Sequence, residues 1–364
     1  MRPTIFRAKS VGIGVFASTR NPMPVFIRGA LVGLTLLAST AVSGSPLFED
    51  DSIIEIRLSG PLTTLIKNKQ DRDQHPFVLN IDDTDIDVKV RIRGNSRVEV
   101  CRFPPLRLNF SRRGTKNTVF AGQDKLKLVT HCRSDNMRSA NNVLDEYLAY
   151  RLFNLMSEAS FRVRLFRITY EDTDGKLKGL DRAYYGFVIE SDQELAARLD
   201  GKPAKISGVH YSRLDDNQTA LTYVFQYLIG NTDWSLVTAT TSKTCCHNLS
   251  LIDVGKTLYT LPYDFDLSGL VNATYAKPDA SARISRVTQR IYRGYCKSPI
   301  QSIETALQTV RTLRDDILAT AQAVPALDTK YTEWRVTFLE RFFAAAESEE
   351  KLLRQFDRQC LGDH

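Results

Sequence analysis

Residues 219–266 read TALTYVFQYLIGNTDWSLVTATTSKTCCHNLSLIDVGKTLYTLPYDFD. Thr219 to Ile229 is apolar at helical spacing and stops at Gly230-Asn231, residues that end helices. His247–Ile252 and Thr257–Leu261 flank Asp253-Val254-Gly255, which predicts a short hairpin. Polar residues gather at the ends of these elements. Gly230-Asn231-Thr232-Asp233-Trp234-Ser235 follows the helix, His247-Asn248 opens a strand, and Pro262-Tyr263-Asp264-Phe265-Asp266 closes the next. An acid after a helix, an amide one strand on and an acid at a hairpin exit is the order used for metal-assisted phosphoryl transfer. On that pattern Asp233 orients and deprotonates an acceptor hydroxyl. Asn248 and Asp264 hold a divalent ion on nucleotide phosphates, with Asp266 sharing or taking over that role. The hard oxygen donors suit Mg²⁺ or Mn²⁺.

Upstream, the period changes from helical to alternating. Ile53–Leu58, Asp87–Arg93, Leu106–Phe110 and Lys125–Val129 alternate or run apolar as strands do. Asn142–Met156 has helical spacing with acids near its start. Residues 161–170 and 183–189 read as a strand pair across an Asp172–Gly175 turn, and Ser191–Leu199 as a short helix. From Pro299 on, the chain reads as two or three helical segments broken near Pro325. The expectation is an α+β, two-lobed fold. Residues 45–200 would form a β-rich lobe and 201–364 a mainly helical one, with a cleft between.

The net charge of +7 invites a nucleic-acid reading. Five of the basic residues, Arg2, Arg7, Lys9, Arg20 and Arg28, lie in residues 1–44, which hold no acid. The remainder carries 44 basic against 42 acidic residues, or +2. Composition therefore gives no support for a basic stripe of the kind that neutralises phosphate backbones. From Met23 the chain reads MPVFIRGALVGLTLLASTAVSGS: one Arg, an apolar stretch near Ala30–Ala38, then small residues. That is the order of a secretory leader, with Ser45 as the first mature residue and cleavage after Ala41 or Ser43 as alternatives. A retained anchor is the competing reading, although the apolar stretch is short of the roughly 20 residues that span a bilayer. The expected location is periplasmic or secreted, with no transmembrane segment in the mature chain.

All six cysteines lie beyond residue 44, which in an exported chain favours disulfides. Cys101 and Cys132 flank a strand-like stretch and are expected to pair. Cys245 and Cys246 are neighbours, so each is expected to reach elsewhere, to Cys296 and Cys360. No zinc knuckle is present. Five histidines without a G-x-S-x-G elbow argue against a Ser-His-Asp hydrolase.

The chain from about Arg91 to Gly269 resembles the spore coat protein H (CotH) kinases, related to HipA-like and secretory-pathway atypical kinases. Arg93-Gly94-Asn95-Ser96, the strand Leu106–Phe110, Gly122–Leu128, Leu144–Tyr150 and Tyr185–Glu190 resemble that family's motifs. NTDW, HN and PYDFD fall where it has its catalytic Asp, metal Asn and metal Asp. The resemblance implies a kinase-like fold that binds ATP through Arg107, Lys127, Glu146 and Glu190. Arg107 stands where the family has Lys, with Lys125 and Lys127 as rivals. Glu146 would pair with whichever cation serves. Asp233 and Asn248 are 15 residues apart, a longer spacing than the kinase pattern, with Cys245-Cys246 inserted. Trp234 takes a place where relatives often have Arg.

The implied function is an exported kinase transferring phosphate from ATP to a Ser/Thr hydroxyl of a protein substrate. The alternative is a non-catalytic kinase-like module of the cell envelope. Intact mass of the protein recovered from cell envelopes is expected to begin near Ser45. An unprocessed N-terminus in the cytosol would refute the leader.

Overall fold

The computed structural model describes residues 45–180, 182–236 and 245–362. The expected leader, residues 1–44, lies outside the described residues. Seven strands close a barrel in the order β1-β2-β3-β4-β5-β7-β6. They are β1 (Ile54–Gly60), β2 (His75–Ile81), β3 (Thr84–Ile92), β4 (Leu106–Phe110), β5 (Lys125–Val129), β6 (Val163–Asp172) and β7 (Tyr184–Ile189). Two short helices, α1 (Leu62–Lys67) and α2 (Ser96–Val100), lie between strands, and α3 (Met137–Met156) separates β5 from β6. Further on come α4 (Asp192–Arg198), β8 (Lys202–Pro203), α5 (Asp216–Leu228), β9 (Leu249–Val254) and β10 (Thr257–Pro262). Helices α6 (Ile300–Thr312), α7 (Arg314–Ala323), α8 (Thr329–Ala346) and α9 (Glu349–Gln359) complete the chain. The fold is thus α+β.

Strict alternation builds the barrel. Val88, Val90, Ile92, Leu106, Leu108, Leu126 and Leu128 face inward and are buried, while the residues between them face out. Closure comes from β1 lying parallel to β6; the β6–β7 pair is antiparallel, as expected. A second apolar cluster joins α3 to α5, the β9–β10 hairpin and α6–α9. That C-terminal run is four helices, not two or three. α3 also begins five residues earlier than its spacing suggests, capped by Asn136, whose side chain accepts the Ser139 N–H at 2.9 Å. Its first turns carry Ser139, Asn141 and Asn142, polar yet buried. Among the described residues no helix is long and apolar enough to cross a membrane.

Cys101 bonds Cys132, as expected, with the Cα atoms 4.7 Å apart. The other pairing differs: Cys296 bonds Cys360, and Cys245 bonds Cys246. The cause is local. The Cys296 N–H donates to the Leu361 carbonyl at 3.1 Å, and the Leu361 N–H to the Gly294 carbonyl at 2.8 Å. Those bonds hold Cys296 against Cys360 and leave Cys245 and Cys246 only each other.

A buried ion pair ties α3 to α8. Arg335 and Asp145 are both 0% exposed, with Nε donating to Oδ1 at 2.6 Å. The Arg335 guanidinium also donates to the carbonyls of Val324 and Pro325 after α7. Burial pushes the Asp145 carboxyl up, against the attraction of Arg335 and Arg138. Removing one partner leaves the other charged and unpaired. Asp145→Ala is expected to destabilise by about 3–5 kcal/mol, with much of that loss recovered when Arg335→Met is added. Urea denaturation of both variants checks this.

Candidate functional site

The turn after α5 is built by its own side chains. Gly230 takes a positive φ of +62°, and a Cβ there would meet Phe338 at 3.2 Å. Asn231, buried, accepts the Asp233 N–H through Oδ1 at 3.0 Å and donates to Gln226 through Nδ2 at 3.0 Å. Trp234 donates its indole N–H to the Asn231 carbonyl at 3.1 Å and stacks on Tyr223. Trp234 is thus a wedge that fixes the turn, which accounts for an aromatic at that position.

The long spacing between Asp233 and Asn248 is closed by the backbone. Ser235 and His247 exchange two N–H···O bonds of 3.0 Å, so the intervening chain is pinched off as a loop. Residues 237–244 of that loop lie outside the described residues. With the loop closed, Asn248 Nδ2 donates to Asp233 Oδ2 at 2.9 Å and to the Asp233 carbonyl at 2.7 Å. His247 Nε2 meets Asp233 Oδ1 at 2.8 Å. That hydrogen bond to Asp233 raises the His247 pKa, against partial burial. Each Asp233 oxygen keeps a lone pair for a further donor.

Asp264 follows β10 and is tied in through the backbone. The Tyr263 N–H donates to the Asn248 carbonyl at 3.1 Å, and the Asp264 N–H to the Tyr150 hydroxyl at 2.9 Å. The Asp264 carboxylate makes no hydrogen bond among the described residues. Desolvation, then the charge of Asp266, raises its pKa, opposed by Arg97 and Arg93. Asp266 stands apart from it in partners. The Arg97 Nε donates to its Oδ2 at 2.9 Å and the Tyr275 hydroxyl does so at 2.8 Å.

Glu146 is 1% exposed and pairs with the Arg97 guanidinium. Its partner is therefore Arg97, not Arg107, Lys125 or Lys127. Burial outweighs that attraction and holds the Glu146 carboxyl well above the usual range, at about 8. Its Oε1 has no hydrogen-bond partner. Arg97 is the residue sequence reasoning missed. It directly follows Arg93–Ser96, and only that adjacency pointed to it.

Arg107 faces outward from β4, and Lys127 from β5. Both line a cavity of about 450 Å³ bounded by Gly122–Lys125, Ile189 and Ser191–Glu194. Lys127 Nζ lies 3.7 Å from Asp192 and 5.6 Å from the centroid of the Tyr263 ring, beside Asp264. Desolvation lowers its pKa, and Asp192 opposes that. Glu190 does not line this cavity. Both its oxygens accept from Arg198 at 2.9 Å, and Oε2 also takes the Arg162 N–H at 3.1 Å.

The structure thus brings together Asp233, Asn248 and Asp264, sets Lys127 beside them, and commits Asp266, Glu146 and Glu190 to arginines. Among the described residues no three His, Cys, Asp or Glu side chains form a group that could hold a metal ion by themselves. Asp264 and the Asn248 Oδ1 are the open oxygen donors. They fit an ion of the Mg²⁺ type, which takes one or two carboxylates and completes its shell with phosphates and water.

No family model and no curated protein matches the chain. Among solved structures, a match is the crystal structure of a Helicobacter pylori proinflammatory kinase, CtkA. Identity is 11% and the TM-score 0.33, covering 78% of this chain and 91% of that one. At that score the likeness carries no argument, and the CotH resemblance stands on the motifs alone.

The two arginines should behave differently on removal. Arg97→Met strands the buried Glu146 and Asp266 and is expected to cost about 3–5 kcal/mol. Arg107→Met removes a cation crowded by Arg91 and Arg93, and should leave stability unchanged or higher. Denaturant titration of the pair separates them.

Proposed function

We propose that the chain is an exported, two-lobed atypical kinase that transfers the terminal phosphoryl group of ATP to a protein Ser/Thr hydroxyl. The observation that carries this is the direct contact of Asp233 with Asn248, one backbone bond from Asp264 and its open carboxylate. Asp233 would accept the acceptor's O–H on a free lone pair, orient its oxygen in line with the phosphoryl group and take the proton as the new O–P bond forms and the bond to ADP breaks. His247 and Asn248 hold the Asp233 carboxylate in one rotamer for that task. Lys127, with Arg107 behind it, would grip the phosphates, as outward-facing cations can. A bound Mg²⁺ or Mn²⁺ at Asp264 and Asn248 would neutralise phosphate charge. Export is supported by the leader pattern and by three disulfides among the described residues.

One observation favours the second reading, a non-catalytic binding module of the envelope. Asp266 is held by Arg97 and Tyr275, so one of the two acids expected at the metal is already satisfied.

Calorimetry with ATP and Mn²⁺ separates the readings. Wild type is expected to bind, and Asp264→Ala to abolish metal-dependent binding. Asp233→Ala should leave binding nearly intact while costing turnover on the order of 10²-fold or more. A wild type that binds no nucleotide would leave the module reading in its place.

A further inference from the structure

The outer face of β3, β4 and β5 carries an unusual row of charge. In the barrel's register Arg91 sits opposite Arg107, and Arg107 opposite Lys127. One step along, Lys89 is opposite Asn109, and Asn109 opposite Lys125. Arg93 continues the same alternation just past β3. Six cations therefore share one face of three adjacent strands. Lys125 and Lys127 each have a carboxylate nearby, at 3.6 and 3.7 Å. Lys89, Arg91, Arg93 and Arg107 have none within 4.0 Å among the described residues. The acids of this face of β3, Asp85 and Asp87, come just before Lys89 in the same alternation.

Like charges directly opposite one another weaken a sheet. In the row Arg91, Arg107 and Lys127 only Lys127 has a carboxylate within 4.0 Å, Asp192 at 3.7 Å, and the Arg107 Nε is shielded from solvent without a partner. Arg107 is in consequence less willing to stay protonated, through desolvation first and then Arg91 and Arg93. A chain whose body carries only +2 has concentrated its positive charge here.

We propose that this face is a docking surface for an acidic segment of a polypeptide. On the transferase reading, on which only the segment's role depends, that polypeptide is the phospho-acceptor. Lys127 and Arg107 stand at the cavity and Lys89 and Arg91 lead away from it, so a docked segment would run from β3 toward Asp233 and Asp264. Outward residues along a strand repeat at about 6.7 Å, and so do alternate carboxylates of an extended peptide. Nucleic acid fits less well. Only four of the six cations lack a carboxylate within 4.0 Å, fewer than the roughly 6–10 phosphate contacts of a strongly salt-dependent duplex binder, and disulfides mark an oxidising compartment.

The test is anisotropy of labelled poly-L-glutamate with the full chain, and ATP binding measured on the same samples. Wild type should bind the peptide, more weakly as salt rises. Lys89→Glu with Arg91→Glu should weaken peptide binding about tenfold or more and leave ATP affinity unchanged. Lys89→Gln with Arg91→Gln should give a smaller loss, and its thermal melt verifies that the barrel is intact. No binding by wild type, or equal binding by both variants, overturns the proposal. Duplex DNA bound as tightly as the peptide and lost with the same variants overturns the polypeptide assignment. Peptide binding without ATP binding sustains the docking surface and removes the kinase reading.

Discussion

Two adjacent acids on α3 set the terms for the rest of the molecule. Asp145 and Glu146 are 0% and 1% exposed, and an ionised carboxylate in that setting is costly unless a cation meets it. Adjacent residues on a helix point in directions about 100° apart, so the two acids demand partners on different sides. Arg335 of α8 answers one and Arg97 of α2 the other. Because Arg97 also takes Asp266, the segment after β10 is positioned by the same helix. The barrel's α2, the C-terminal helices and the Asp264 corner are thereby referred to one element.

What the sequence made legible was local. Leu106–Phe110 and Lys125–Val129 coincide with β4 and β5, because strict alternation has one structural solution when one face is buried. The hairpin of β9 and β10 was readable from the Asp253-Val254-Gly255 turn between two strand-like runs. β2 was not, since Pro76 and polar neighbours hide the inward set Phe77, Leu79 and Ile81. Barrel closure was hidden too, because a parallel pairing of distant strands leaves no periodic mark. The start of α3 was missed because Asn141 and Asn142 look like surface residues and are core.

The site divides in the same way. Asp233, Asn248 and Asp264 could be picked by residue type and order. Their contact depends on a backbone bridge between Ser235 and His247 that spacing counts against. The cation for Glu146 was sought on the strands, where alternation puts basic residues outward. The residue that serves stands on a five-residue helix, too short for any period to announce. The disulfides follow the same logic, since the partner of Cys296 was chosen by how the chain's last turn folds back.

The parallel contact of β1 with β6 has a consequence in time. Glu55 and Arg167, neighbours across that seam, are 112 positions apart. Contacts of such separation form late, because the loop-closure entropy must be met before they contribute. The barrel cannot shut until β7, which ends at Ile189 and pairs with both β5 and β6, is available, so β1 through β5 would form first as an open, twisted sheet with two bare edges. Open edges of that kind recruit other strands. Until β6 and β7 close it, the sheet is open to pairing with strands of other chains, and aggregation competes with closure.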